Sequence, residues 1–424
     1  MVQGIEAGDG RFVVLRCAVL YDGAAETPIE NAALLLRGTK IVAVGRRDEL
    51  AIPAEKVAEV WDFGEACALP GLVDEHTHLS LPGDGRTYEQ MMLDSDDLMA
   101  LVGARNLGLH LRSGVTTLRD HGARNRVGFA LKEALRRGYL SAPRALFSGR
   151  SITCTGGHFH FLNAVADGPE AIRHAVRQLV HEGADYIKIM ASGGGTAGTL
   201  PGYASYTEAE LRAAAEEAHR FGKLIVAHCR ATAAMLNAAR AGIDLLEHAQ
   251  FTEPDLTSRF EPRVAEALLQ SGAYVSPTLQ AGTQYSALLR LRQTQAAGQL
   301  SRQEKEQLAW NEGCLEERMG IFRQLLAFGF AERIVAGSDA GCFDFTFGHL
   351  QYDVELMVAG GLSPRQAIQA ATSVAARAIG LGDTVGSLTP GKEADVLLVA
   401  GNPLANIADL EQVIAVIKGG VRVV

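Results

Sequence analysis

Disulfide chemistry has little to work with in this chain of 424 residues. Its six cysteines, Cys17, Cys67, Cys154, Cys229, Cys314 and Cys342, stand apart, with no C-x-x-C pair and no dense framework. Isolated thiols in a long chain point to a reducing compartment and to cysteine used as a small core residue. No apolar run reaches the roughly 18 residues of a membrane span. The opening MVQGIEAGDGRF carries an acid where a secretion signal would carry base, so a cytoplasmic location is expected. Basic residues are in the minority: 40 Lys and Arg against 49 Asp and Glu give a net charge of −9. That sign repels phosphate backbones, so nucleic acid is not an expected partner, and with no apolar run of spanning length neither is a membrane. What is present is 47% hydrophobic residues beside 21% charged ones, enough apolar mass for a full core.

The texture changes along the chain. Residues 12–20 (FVVLRCAVL), 32–36 (AALLL) and 41–45 (IVAVG) are short β-prone runs joined by Gly turns, and they read as a small antiparallel sheet. ADVLLVAG at 394–401 and VIAVIKGGVRVV at 413–424 repeat the pattern. Between these ends, strand-like runs alternate with segments of helical period, the grammar of a parallel sheet buried on both faces. The expected division is a composite β-sandwich domain from residues 1–67 plus 383–424, and a central α/β domain over 68–382.

Eight barrel strands are predicted in the centre: 69–78, 114–120, 144–149, 184–191, 224–229, 244–249, 273–279 and 333–341. Helices are predicted between most of them, with Thr207 and Glu210 forming a capping box, and Ser301 with Glu304 another. Gly183, Gly222 and Gly242 follow helical runs, where a left-handed cap favours the absence of Cβ. Residues 280–330 read as mostly helical, an excursion above or beside the barrel. A doubly wound sheet would want G-x-G-x-x-G after its first strand; HTHLSLPGDG stands there instead. The expected fold is a (β/α)8 TIM barrel with a small β-sandwich built from both chain ends.

Barrel enzymes work from the C-terminal ends of their strands. Those ends carry His76 and His78, then Lys188, His228, His248 and Asp339. Strand positions i and i+2 share a face, so both histidines of H-x-H can reach one ion. Imidazole with carboxylate suits zinc or a neighbouring divalent metal. Lys188 is the odd member, because burial and nearby cations both lower a lysine's pKa. A neutral amine can capture carbon dioxide, and the resulting carbamate offers one oxygen to each of two metals. The alternative is a snorkelling or ion-paired lysine above a single metal.

With these residues in view, the chain resembles the amidohydrolase superfamily, in its branch of imidazolonepropionase-like enzymes and Xaa-Pro or basic-residue dipeptidases. The matching segments are PGLVDEHTH, the lysine of YIKIMASGG, VAHC with His228, EHA with His248, GSDAG with Asp339, and GSLTPGKEADVLLVAGNPL at 386–404. The resemblance spans essentially the whole chain. It implies that His76 and His78 hold the more buried of two divalent ions, expected to be Zn2+. His228 and His248 would hold the other, carboxylated Lys188 would bridge them, and Asp339 would touch the water between. It also implies a homo-oligomer.

Two adjacent cations lower the pKa of a shared water to near neutrality. Asp339 would take its proton and return it to a leaving amine. The expected reaction is hydrolysis of a dipeptide, Xaa-Pro-like, or of an N-acyl amino acid. A cyclic amide or imidazolone hydrolase, or a deaminase, is the alternative enzyme. A non-catalytic barrel scaffold is the alternative of another class, and there the metal set should be eroded.

The substrate residues are read from loops. In SITCTGGHFHF, His158 is a rim residue suited to a substrate carbonyl or carboxylate, whereas His160 reads as core or surface. Related dipeptidases carry a tyrosine two places after the histidine of the fifth strand; here that place is Arg230, which pairs with a planar carboxylate through two parallel hydrogen bonds. A helix-cap or rim salt bridge is its structural alternative. Tyr203 and Tyr206, in GGGTAGTLPGYASY, belong to a loop read as a lid or a long turn. Among Arg119, Asp120 and His121, one is expected to orient a ligand or to form a structural ion pair. His349 reads as a helix start, and Cys229 should face away from His228.

Overall fold

The computed structural model describes residues 12–50, 56–283 and 285–424. The first eleven residues, read above as carrying an acid where a secretion signal would carry base, lie outside them. The chain ends build one eight-stranded sheet from β1 (Phe12–Leu20), β2 (Ile29–Arg37), β3 (Lys40–Arg46), β4 (Val57–Asp62) and β5 (Cys67–Pro70), with three strands from the C-terminal end. Alternation along β1 sends Val13, Leu15 and Cys17 into one apolar layer and Val14 into another, the period expected of a strand covered on both faces. The sheet is mixed rather than antiparallel: β1 pairs antiparallel with β2, but parallel with β4 along its first half and with β5 at its end.

The centre is a closed α/β barrel. β6 (Leu72–Thr77), β7 (Val115–Asp120) and β8 (Arg144–Phe147) form one parallel run. β9 (Ile187–Met190), β10 (Ile225–Ala231), β11 (Leu245–Thr252) and β12 (Tyr274–Ser276) form another. The runs join where Ile152 bridges Ile189. The ring closes where Ile334 bridges Val275 and Ala340 bridges Thr77. Every residue of β6, β7 and β9 is buried, as a sheet covered on both faces requires.

Two expected strands are corrected. The run 69–78 is divided: Leu69 and Pro70 belong to the terminal sheet, and the barrel strand starts at Leu72. The run 333–341 is not a continuous strand, because Asp339 turns into the left-handed region at φ 56° and interrupts the extended backbone. The remaining strands, β13 (Val396–Val399), β14 (Val413–Lys418) and β15 (Val421–Arg422), return to the terminal sheet, where β13 pairs with β5.

The outer helices bury one stripe each. Helix Pro169–Glu182 turns Ile172, Val176 and Leu179 inward, an i, i+4, i+7 set. Thr207 and Glu210 form their capping box ahead of helix Glu208–Arg220, and Ser301 with Glu304 do the same ahead of helix Arg302–Phe328. The segment after β12 holds that long helix and Tyr285–Ala296. Among the described residues, no helix is long and apolar enough to cross a membrane.

Candidate functional site

The barrel mouth gathers side chains that are far apart in sequence. His76, His78, Lys188, His228, His248 and Asp339 line one cavity, together with Tyr88, His158, Phe159, Met190, Arg230 and Cys342. Strand geometry delivers them: His76 and His78 end β6, and His228 with Arg230 share a face of β10. Cys229 between them is buried in the apolar layer on the opposite side, as expected.

Two clusters face each other. His76 Nε2 lies 3.2 Å from Asp339 Oδ1, His78 Nε2 lies 3.3 Å from the same oxygen, and the two imidazole nitrogens are 3.3 Å apart. Across the cavity, His248 Nε2 is 3.0 Å from His228 Nδ1. The outward nitrogen of each ring is already engaged: His228 Nε2 donates to the Gly193 carbonyl at 3.1 Å, and His248 Nδ1 meets Thr278 Oγ1 at 2.7 Å. A carbonyl only accepts, so His228 carries its proton on Nε2 and turns a lone pair inward. Burial and neighbouring cations hold His76, His228 and His248 well below the usual histidine pKa, hence neutral. Neutral imidazoles oriented by a second hydrogen bond, converging with a carboxylate, fit a divalent cation.

Among the described residues, two groups could each hold a metal ion. One is His76, His78 and Asp339; the other is Glu75, His76, His121 and Glu247, with ligand atoms within 4.8 Å of one another. A binuclear metal-binding cluster is therefore built into the barrel. The second group was not anticipated. Lys188 Nζ contacts Glu247 Oε2, and His121 contacts Glu247 Oε1 and the Tyr186 hydroxyl. The Tyr186 hydroxyl in turn donates to the Asp120 carbonyl at 2.7 Å. Among the described residues Arg119 forms no ion pair; its guanidinium lies 4.5 Å over the Tyr186 ring. Glu75, one residue before the first histidine, is pushed upward by burial. The visible signal was the acid preceding each ligand, in DEHTH and in EHA, but an adjacent strand residue normally faces away.

Asp74 was missed as well. Its carboxylate accepts from the N–H of His76 at 3.1 Å and of Ser338 at 3.0 Å, from Ser338 Oγ at 2.5 Å, and faces His110 Nε2 at 3.0 Å. It thereby ties β6 to the turn that carries Asp339. His248 and Asp339 both adopt positive φ, 67° and 56°. Such backbone costs of order 1–3 kcal/mol per residue and persists only where surroundings over-determine it. Asp120 Oδ1 accepts from Leu79 N–H at 2.9 Å, which steadies the residue after His78.

The loop residues divide. His158 lines the cavity, its ring 4.5 Å from that of His228 and its Nδ1 2.7 Å from Thr196 Oγ1. Arg230 also lines it, with a buried Nε that lacks a hydrogen-bond partner. The two tyrosines are corrected. Tyr206 is buried in the outer apolar layer, where its hydroxyl donates to the Ala166 carbonyl at 2.8 Å; it precedes a helix packed against the barrel exterior. Tyr203 is 51% exposed and does not line the cavity, because its loop is pinned by the Ser192–Ala204 bridge. His160 is exposed, and His349 precedes helix Leu350–Gly360.

Gly193 links loop and ligand. A Cβ there would meet the Leu200 backbone at 2.5 Å, and backbone cannot swing aside. Gly193→Ala is therefore expected to move the carbonyl that orients His228. Loss of such a partner lowers metal affinity about 10–100-fold, and overpacking costs about 1–3 kcal/mol. Zinc titration and a thermal melt check both; unchanged metal affinity would remove Gly193 from this role.

A family model described as "Amidohydrolase family" matches residues 67–423. Ochratoxinase of Aspergillus niger is 27% identical over 446 residues, covering 97% of this chain and 86% of that protein. Its crystal structure aligns with a TM-score of 0.78 at 25% identity, over 98% of this chain and 96% of that one. A Xaa-Pro dipeptidase crystallised with methionine in its active site aligns with a TM-score of 0.80 at 25% identity, over 97% and 99% of the two chains. Imidazolonepropionase of Pyrobaculum arsenaticum is 36% identical over 73 residues, which is 15% of this chain and 18% of that protein.

Proposed function

The chain belongs to the amidohydrolase family and is a metal-dependent hydrolase; we propose that it cleaves the amide bond of dipeptides or N-acyl amino acids, using two zinc ions and a carboxylated Lys188. The observation that carries this reading is the His76–His78–Asp339 cluster facing the His228–His248 pair, with Lys188 and Arg230 in the same cavity. A pair of divalent cations in such a donor set supplies hydroxide near neutral pH and polarises a carbonyl.

The chain's own groups do the rest. Burial pushes the Lys188 amine down to about 7, so a neutral fraction is present to take up carbon dioxide. Asp339 accepts the proton of the attacking water at Oδ1 or Oδ2 and passes it to the departing amine nitrogen. His158, held through Nδ1 by Thr196, turns Nε2 toward the substrate's carbonyl or carboxylate oxygen. Arg230 clamps the carboxylate of the amino acid to be released. Tyr88, Phe159 and Met190 close the wall of the cavity and exclude water.

The test is a panel of N-acetyl amino acids and of Xaa-Pro, Xaa-Arg and Xaa-Lys dipeptides, offered to zinc-loaded protein. Arg230→Met should raise KM for carboxylate-bearing substrates by about 10-fold or more relative to their amides, because a charge-assisted pair is lost only from the former. Equal effects on both would remove Arg230 from this role. Negligible zinc and no hydrolysis would favour a scaffold.

A further inference from the structure

Left-handed backbone gathers on one side of the barrel mouth. His248, Ala249 and Phe251 take φ of 67°, 44° and 53°, and Thr278, two residues beyond β12, takes 43°. None of them is glycine, and for a β-branched threonine this region is an outlier. β11 also leaves its ladder here. Cys229 pairs with His248 and Ala231 with Thr252, so the intervening residues 249–251 form a bulge. Such backbone persists only where its surroundings over-determine it. The strain falls on a histidine of the metal cavity and on the residue that faces its ring: His248 Nδ1 meets Thr278 Oγ1 at 2.7 Å.

Both strained pieces are held by Arg318 of helix Arg302–Phe328. Its Nη1 donates to the Thr278 carbonyl at 2.9 Å and reaches the Pro277 carbonyl at 3.5 Å. The same guanidinium meets the Gln250 side-chain oxygen, which accepts from Nη1 at 3.0 Å and from Nε at 3.2 Å. Gly282 leaves the group its room, since a Cβ there would stand 2.8 Å from Arg318 Nη2. One rigid fork of donors thus ties the bulge after His248 to the turn after β12. A guanidinium occupied by three neutral oxygens works as a cross-brace. A lysine ammonium, a point charge on a flexible stem, could not serve Gln250 and Thr278 in one plane.

We propose that Arg318 is a positioning residue for the second metal ion. By fixing Gln250 and the 277–278 backbone it keeps Thr278 Oγ1 against His248 Nδ1, and so aims His248 Nε2 into the cavity, 3.0 Å from His228 Nδ1. With the hydroxyl accepting the Nδ1 proton, Nε2 keeps a lone pair for the ion. Without the fork, bulge and turn relax toward ordinary φ, and the hydroxyl leaves the imidazole. The proposal rests on the two-metal reading above and is independent of which amide is cleaved.

The experiment strips zinc-loaded, full-length protein stepwise with a chelator of known affinity, and records the visible spectrum after exchange into cobalt. Arg318→Met should weaken one of the two ions by about 10–100-fold, the loss that follows removal of a group orienting a ligand. The other ion should keep its affinity, and the cobalt band of the weakened site should shift. Gln250→Leu, which cuts one arm of the brace, should give a smaller loss in the same direction. Gln250→Glu, which keeps an oxygen facing the fork, should restore wild-type affinity. The Gln250 pair decides the matter where Arg318→Met does not fold. A lower melting temperature with both affinities and the cobalt spectrum unchanged would make Arg318 a purely structural brace and overturn the proposal. A raised KM with both ions intact would do the same, by showing that Arg318 binds substrate. Two ions in the wild type that no variant disturbs would sink this inference alone, whereas wild-type protein that holds no second ion would sink the two-metal reading with it.

Discussion

Lys188→Ala is expected to lose one of two bound zinc ions per chain and about 1,000-fold or more in kcat/KM, on the order of 4 kcal/mol of transition-state stabilisation. Lys188 stands on β9, fully buried, in the cavity that holds both histidine pairs. A bare ammonium there would repel any cation bound to those imidazoles. On the reading proposed above, carbon dioxide would add to the neutral amine, one proton would leave to solvent, and the residue would become a carboxylate able to serve two ions. Acetate or propionate should restore part of the activity of Lys188→Ala, because it returns a carboxylate to the emptied space. Intact-mass analysis of gently ionised wild-type protein should show the added mass of carbon dioxide, absent from the variant.

The contact with Glu247 offers a different outcome. If Lys188 served only as the counter-ion of Glu247, alanine there would leave a buried carboxylate unpaired and cost about 3–5 kcal/mol of stability. Zinc content and the effect of acetate would then be unchanged. Elemental analysis combined with a denaturant titration separates the two.

Asp339→Asn should lower kcat by about 100- to 10,000-fold with little change in KM, the span associated with losing a positioned proton carrier. Asparagine matches the shape of aspartate and tolerates the left-handed φ of 56° at this position, so the turn is retained. The bonds that hold the turn, from Asp339 N–H to the His76 carbonyl at 2.8 Å and from Ser338 to Asp74, involve no atom that the substitution alters. What is lost is the ability to accept and return a proton between His76 and His78. A variant with wild-type kcat would show that Asp339 serves as neither acid nor base.

Much of the barrel was legible because its signals are local. Alternation of apolar runs with amphipathic segments follows from one backbone facing two environments, and the capping boxes at Thr207 and Ser301 need only four neighbouring residues. The H-x-H of β6 was legible for the same reason. The run around Asp339 was read as an ordinary strand because GSDAG does not announce a left-handed residue. Tyr206 was misplaced because nearness in sequence to a strand end says nothing about which layer a side chain joins after the chain turns. Asp74, Glu75, Tyr186 and Glu247 escaped notice since their partners are remote: Asp74 meets Ser338 across 264 residues.

The order of residues alone determined the alternating elements, the strand-end donors and their expected convergence, since periodicity and strand polarity are set within a few peptide units. Tertiary structure alone decided which of those donors share a cavity with Arg230, and that a buried acidic and aromatic layer lies beneath them. The reason is physical: burial and charge–charge interaction depend on distance through space, and only closure of the ring sets those distances.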